Sequence, residues 1–193
     1  MAVKKILDSR PISLKDSWRI FLHARDDVSC HKQPLISTNP ESEIIIKRWI
    51  QQHESNPSSH HLAITLDEQL VGISGLSRIH RFYDAEVFYW IASPFRGLGM
   101  AKPIVYHLQF LAKEFYSLSS LYAYIDDENK VSTRMLEDSG FSPVMNSSDT
   151  FFDQTRYVKQ LDNHLYCSEY SLPLLIDTSY RKNSISQPSL RRI

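Results

Sequence analysis

A glycine-rich turn between a strand-like run and a helix-like run constrains this chain more than any other feature: Arg96-Gly97-Leu98-Gly99-Met100-Ala101. Ahead of it, Glu86-Val87-Phe88-Tyr89-Trp90-Ile91-Ala92 is rich in aromatic and β-branched residues and reads as a buried or half-buried strand. Behind it, Ile104, Leu108, Leu111 and Phe115 recur at the period of an amphipathic helix packing one face on a core. Pro103 fits the first turn of that helix, where a missing N–H costs little. The N–H groups of residues 98–102 then point out of the helix N-terminus, at the positive end of its dipole, and form a cradle for an anion with several oxygens. Side chains larger than glycine would block the anion's approach. The spacing is neither that of a P-loop, which needs Gly-Lys-Ser/Thr, nor that of the dinucleotide fingerprint Gly-x-Gly-x-x-Gly.

The spacing it does fill is Arg/Gln-x-x-Gly-x-Gly/Ala, with Arg96, Gly99 and Ala101. Three other segments stand in register with it: Arg10-Pro11-Ile12-Ser13-Leu14-Lys15-Asp16, Ala85-Glu86-Val87-Phe88-Tyr89-Trp90-Ile91, and the run from Asn129 through Ser132 and Glu137 to Gly140-Phe141. In these four segments, spread from about residue 3 to about residue 173, the chain resembles the GNAT N-acetyltransferases. Within them it resembles the RimJ/RimL-like branch, which acetylates the N-termini of ribosomal proteins. It departs from that branch after the loop, where Lys102-Pro103-Ile104 replaces the usual Thr-Glu-Ala.

The resemblance implies an α+β GNAT fold: a central mixed, mostly antiparallel twisted sheet of about six or seven strands with about four helices, splayed near the strand before the Arg96 loop. It implies acetyl-CoA as co-substrate and no metal. Arg96, Gly97, Leu98, Gly99, Met100, Ala101 and Lys102 would face the pyrophosphate, while backbone groups near Ile91 and Ala92 pair with the pantetheine and one N–H polarises the thioester carbonyl. The Asn129 amide would hydrogen-bond the pantetheine arm or an ordered water, although asparagine is also a favoured helix N-cap. Many members of the family protonate the departing thiolate with a tyrosine seven residues beyond that asparagine; here the position is Leu136, and Ser132 is the substitute the branch suggests.

Chemical need points to one more residue. An amine at neutral pH is mostly ammonium and has no lone pair for attack on a thioester, so a transferase needs a group to take its proton. Alternation sends Glu86, Phe88 and Trp90 to one face of their strand, which sets a carboxylate beside large apolar side chains, a setting in which it can act as a base near neutral pH. The competing reading is a carboxylate that faces solvent or is paired with an arginine such as Arg78 or Arg81. The acceptor is a primary amine, on a protein N-terminus or a small molecule; the alternative is a catalytically inactive acyl-CoA-binding regulatory module. Phe82, Tyr83, Phe88 and Trp90 are candidates to line the acceptor groove or to serve as core. The segments 23–36, 78–84 and 144–153, which border that groove, carry no signature of the amine.

Composition agrees. With 193 residues and 42% hydrophobic content the chain can bury one sizeable core, read as a single domain over 1–176 followed by a polar, basic tail over 177–193. Twenty-two basic residues balance 22 acidic ones, so nothing in the net charge calls for an anionic membrane or for nucleic acid, beyond contact through a ribosome. A monomer and a homodimer both fit. Cys30 and Cys167 form no disulfide framework, and neither a signal-type h-region nor a membrane span is present; together these point to a soluble cytoplasmic protein. His60-His61 falls on opposite faces of a strand and is not a metal pair, and Asp126-Asp127-Glu128 reads as a turn before a helix.

The pattern predicts a strand over 3–9, a helix over 14–24 with Trp18, Phe21 and Leu22 inward, and a helix opened by Asn39 and Pro40 and running to about 53. A hairpin over 62–66 and 70–77 turns at Asp67-Glu68-Gln69. Then follow a strand over 86–93, a helix over 100–116, a strand over 121–125 in a parallel β-α-β unit, a helix over 131–139, and strands over 150–160 and 165–172.

Overall fold

The computed structural model describes residues 4–25, 27, 39–55, 58–144, 153–162 and 172–177. Among these, eight strands form one sheet in the order β6-β7-β5-β4-β3-β2-β1-β8. The strands are β1 (Lys4–Pro11), β2 (His60–Leu66), β3 (Gln69–His80), β4 (Asp84–Ile91), β5 (Ser120–Asp126), β6 (Ser142–Pro143), β7 (Gln154–Gln160) and β8 (Leu174–Asp177). The helices are α1 (Ser17–Ala24), α2 (Asn39–Ser55), α3 (Ala101–Glu114) and α4 (Lys130–Glu137). With β6 only two residues long, this is the mostly antiparallel α+β sheet and helix set that the sequence implies.

Every strand pair is antiparallel except β4 with β5, whose connection through α3 makes the parallel β-α-β unit. That pair is short. It joins only Asp84 to Ser120, Ala85 to Leu121 and Glu86 to Tyr122, whereas β4 stays paired with β3 as far as Ile91 and β5 stays paired with β7 as far as Asp126. Beyond Glu86 and Tyr122 the sheet is therefore split by a wedge open toward the Arg96 loop.

Alternation along β4 divides its side chains between two cores. Val87, Tyr89 and Ile91 pack with Ile104, Val105, Leu108 and Leu136, on the face covered by α3 and α4. Trp90 packs on the other face with Ile20, Ala24, Ile45 and Ile46 from α1 and α2.

Several boundaries differ from expectation. Residues 14–24 are not one helix: Leu14–Asp16 is a 3-10 turn, and α1 begins at Ser17. The Asp16 carboxylate, 3% exposed, receives both Arg10 guanidinium nitrogens at 2.8 and 2.6 Å and the Ser13 N–H at 2.8 Å. Burial opposes the ionised carboxylate, but the Arg10 and Ser13 hydrogen bonds outweigh it and hold the Asp16 pKa below the ordinary value. The helix buries Ile20 and Ala24, and Trp18 points outward, 53% exposed. Phe115 lies past the end of α3 and is exposed rather than in the stripe. The expected strand over 165–172 lies outside the described residues up to 171; Leu172 and Pro173 are not strand, and the strand that pairs with β1 is β8. Because β8 ends at Asp177, the sheet runs one residue past 176. Cys30, Cys167 and residues 178–193 fall outside the described residues.

Candidate active site

The loop between β4 and α3 turns through two glycines into the helix start. Gly97 and Gly99 hold φ values of 78° and 76°, the left-handed region that an L side chain rarely adopts. A Cβ built on Gly99 would meet nothing within 4 Å, so the space before that glycine is open to a guest. Met100 is the N-cap of α3 and offers no side-chain hydrogen bond; the first helical bond runs from the Ile104 N–H to the Met100 carbonyl at 3.1 Å. Among the described residues no side chain caps the N–H groups of Ala101 and Lys102. The loop thus presents backbone donors and a helix dipole to an anion. Lys102 is exposed at its edge, its Nζ 5.7 Å from the centroid of the Tyr106 ring.

Arg96 is placed differently from expectation. Its Nε donates to the Ile91 carbonyl at 2.8 Å, and its guanidinium forms an ion pair with Asp27, which also accepts from the Trp90 indole at 3.1 Å. Asp27 is 1% exposed, so the pair balances Arg96 within the protein and straps the loop to the segment after α1. No spacing links residues 69 apart, and sequence reasoning missed Asp27.

The backbone edge offered to a guest chain also shifts. Ala92 donates its N–H to Val71 at 2.8 Å, and the Ile91 carbonyl accepts from Arg96. By alternation along the antiparallel ladder, Ala92, Trp90, Phe88 and Glu86 turn their backbone groups toward β3, while Val87, Tyr89 and Ile91 turn theirs into the wedge. An extended guest would therefore pair with Tyr89 and the Ile91 N–H rather than with Ala92.

Glu86 stands at the closed end of the wedge, 1% exposed. Ser77 Oγ donates to its Oε2 at 3.2 Å, and Arg78 Nε lies 3.6 Å from the same oxygen. Arg78 reaches that position from a bulge in β3, where its own φ is 51°. Oε1 has no hydrogen-bond partner among the described residues. Phe88, on the same face, lies 5.2 Å from the His61 ring, which stacks on Trp49 at 4.5 Å. Tyr122, the register partner of Glu86, has its hydroxyl pKa raised by burial and then by the Glu86 charge. Tyr122 is a second neighbour that sequence reasoning did not single out.

Ser132 and Asn129 come together on the opposite face. Asn129 caps α4 by accepting the Ser132 N–H on Oδ1 at 2.9 Å, and both residues are buried. The Ser132 hydroxyl also lies 3.3 Å from the Tyr89 hydroxyl across the wedge. Tyr89 could have been noticed, because alternation sets it opposite Glu86, but its partner 43 residues away could not. Leu136 is fully buried core.

The remaining residues singled out by sequence go elsewhere. Trp90 is core, whereas Phe82 and Tyr83 are 60% and 73% exposed at the end of the β3–β4 hairpin. Asp126 and Asp127 accept from Gln154 and Thr155 and so tie the turn before α4 to β7. Among the described residues no three His, Cys, Asp or Glu side chains group to hold a metal, and no helix is long and apolar enough to cross a membrane.

Sheet order, wedge and cradle together define the architecture of an acetyltransferase. The chain belongs to the GNAT acetyltransferase family, in its RimJ/RimL-type branch: the family profile described as "Acetyltransferase (GNAT) domain" matches residues 7–142. Solved structures agree on the fold. RimL, the ribosomal L7/L12 alpha-N-protein acetyltransferase in complex with coenzyme A, aligns over 81% of this chain and 95% of its own at TM-score 0.70 and 13% identity. The Vibrio cholerae spermidine N-acetyltransferase with CoA and spermine aligns over 80% and 95% at 0.68 and 18% identity. The microcin C7 self-immunity acetyltransferase MccE, in complex with acetyl-CoA and AMP, aligns over 80% and 92% at 0.68 and 15% identity. Comparison with curated protein sequences gives no match.

Proposed function

We propose that this chain is an acetyl-CoA-dependent N-acetyltransferase that moves an acetyl group to a primary amine by direct attack on the thioester. The observation that supports the reading is the run of features along β4: the gap beyond Glu86, where β4 and β5 cease to pair, lies between a buried carboxylate, Glu86, and a glycine loop that leads into a helix start without a side-chain cap from Met100. Gly97, Leu98, Gly99, Met100, Ala101 and Lys102 receive the pyrophosphate, with Arg96 fixing the loop through Asp27. The pantetheine adds to the edge of β4 as a short strand, and an N–H turned into the wedge polarises the thioester carbonyl.

Glu86 takes the amine proton, directly or through one water, and Arg78 offsets the buried charge between turnovers. Ser132, held by the Asn129 cap, faces the leaving sulfur. The amine is carried by a protein N-terminus, ribosomal or other, or by a small molecule, and the reaction belongs in the cytoplasm. Thiol release from acetyl-CoA across a panel of polyamines, amino acids, aminoglycosides and N-terminal peptides tests the reading. Release with one class of amine is the expected result. Tight CoA binding with no release across the panel would instead make the chain a catalytically inactive acyl-CoA-binding module.

A further inference from the structure

We propose that Tyr89 supplies the proton that leaves with the thiol, passing it through Ser132. The inference rests on the acetyltransferase reading above and goes beyond it by naming the acid. The position seven residues beyond Asn129 donates no proton, because Leu136 is an apolar side chain sealed in the core. Tyr89 reaches the same place from the other arm of the wedge. Its hydroxyl, on β4, and the Ser132 hydroxyl, on the helix that follows β5, are 3.3 Å apart with both residues buried, at 8% and 1% exposure. They are joined where β4 and β5 no longer pair, so the contact spans the gap that a guest chain would enter.

Acid strength decides which of the two is the proton source. Thiols titrate near 8.5 and phenols near 10, so a phenol is closely matched to a departing thiolate, whereas an aliphatic alcohol is not among the ionisable side chains. Serine alone is a poor acid; serine backed by a phenol relays a proton of suitable acidity. Its backbone is fixed by the Asn129 cap and its hydroxyl meets that of Tyr89, so both its main chain and its side chain are held in place.

The protons balance. As the carbonyl re-forms and the C–S bond breaks, the electron pair leaves on sulfur. Sulfur takes the Ser132 hydroxyl proton, Ser132 Oγ takes the Tyr89 proton, and water reprotonates the phenolate. The amine proton has gone to Glu86 on the opposite face of β4 and from there to water. From the ammonium two protons leave nitrogen, one before attack and one from the tetrahedral adduct, and one arrives on sulfur, so each turnover releases one proton to water.

Two measurements on the full chain test this. In calorimetry, wild type should bind CoA about fivefold more tightly than desulfo-CoA, the analogue lacking the sulfur, as one hydrogen bond to sulfur would give. Tyr89→Phe and Ser132→Ala should both lose that preference while binding desulfo-CoA as wild type does. In turnover with the amine found by the panel, Tyr89→Phe should lower kcat about 100-fold, with KM for acetyl-CoA unchanged and the basic limb of the pH profile altered. The double variant should be no slower than Ser132→Ala alone. A Tyr89→Phe enzyme that keeps the sulfur preference and the wild-type kcat, while Ser132→Ala loses both, overturns the role of Tyr89 and leaves Ser132 in place. A wild type without any sulfur preference overturns both. Equal weakening of CoA and desulfo-CoA in Tyr89→Phe marks a purely structural tyrosine and likewise overturns the proposal.

Discussion

In the mechanism proposed above, the two faces of β4 carry opposite halves of the chemistry. On one face Glu86, an acceptor of protons, sits with Ser77 and Arg78 and has one oxygen unpartnered among the described residues. On the other, Tyr89 and Ser132 form a hydroxyl pair, the proposed source and relay of the thiol proton. The two residues are three apart in one strand, an odd separation, and the pleat therefore sends them to opposite faces. A base and an acid held on the same face would simply exchange a proton. Separated by the strand, the proposed base and acid would meet only through a substrate lying in the wedge.

The largest expected effect strikes both faces at once. Gly99→Val places a β-branched residue at φ 76° and fills the open space before the cradle, and should weaken CoA binding by about 1000-fold, as two lost hydrogen bonds to a charged group at about 2 kcal/mol each would. Calorimetry reads this directly. Wild-type affinity in a folded Gly99→Val protein would remove the cradle from the account.

A second effect belongs to the Tyr89 face alone. His107 on α3 is 8% exposed, accepts the Leu172 N–H on Nδ1 and faces Ser9 Oγ with Nε2 at 3.0 Å. Burial, then the nearby His60, lowers its pKa from 6.5 to about 4, against a smaller opposing pull from Asp8. The folded protein therefore holds His107 neutral while the unfolded chain takes up a proton. The stability this contributes is complete above pH 6.5 and is lost as the pH falls toward 4, by about 3 kcal/mol over that window. Urea unfolding of His107→Gln should show a flatter dependence between those limits. Parallel curves for wild type and variant would contradict the assignment.

Local pattern carried much of this fold and less of the site. The β4–loop–α3 unit was legible because three consecutive signals agree: an aromatic strand, glycines at the positive-φ positions, and a helical stripe behind them. The start of α1 was not, because its phase is set by a side chain. The Arg10 and Ser13 contacts hold Asp16 in a 3-10 turn, and the inward face becomes that of Ile20 and Ala24 instead of Trp18. Phe115 followed the stripe by spacing, but α3 ends one residue before it. Of the proposed site, Glu86, Asn129 and Ser132 are legible from motif. The residues that govern two of the motif positions, Asp27 for Arg96 and Tyr89 for Ser132, are long-range partners that periodicity does not encode. Arg96 shows the consequence: a charge expected at the phosphates is anchored to a buried aspartate.

The smallest of these effects is the most direct test of the division between the faces. Glu86→Gln keeps the shape of the side chain and removes the proton acceptor. Acetyl transfer at neutral pH should fall about 100-fold in kcat, the lower end of what a general base contributes, while acetyl-CoA affinity stays within about twofold of wild type. Rate and affinity measured side by side on that one variant decide the matter. Unchanged kcat, or a loss that lies in cofactor affinity, would contradict the assignment of Glu86 as the base and, with it, the placing of base and acid on opposite faces of β4.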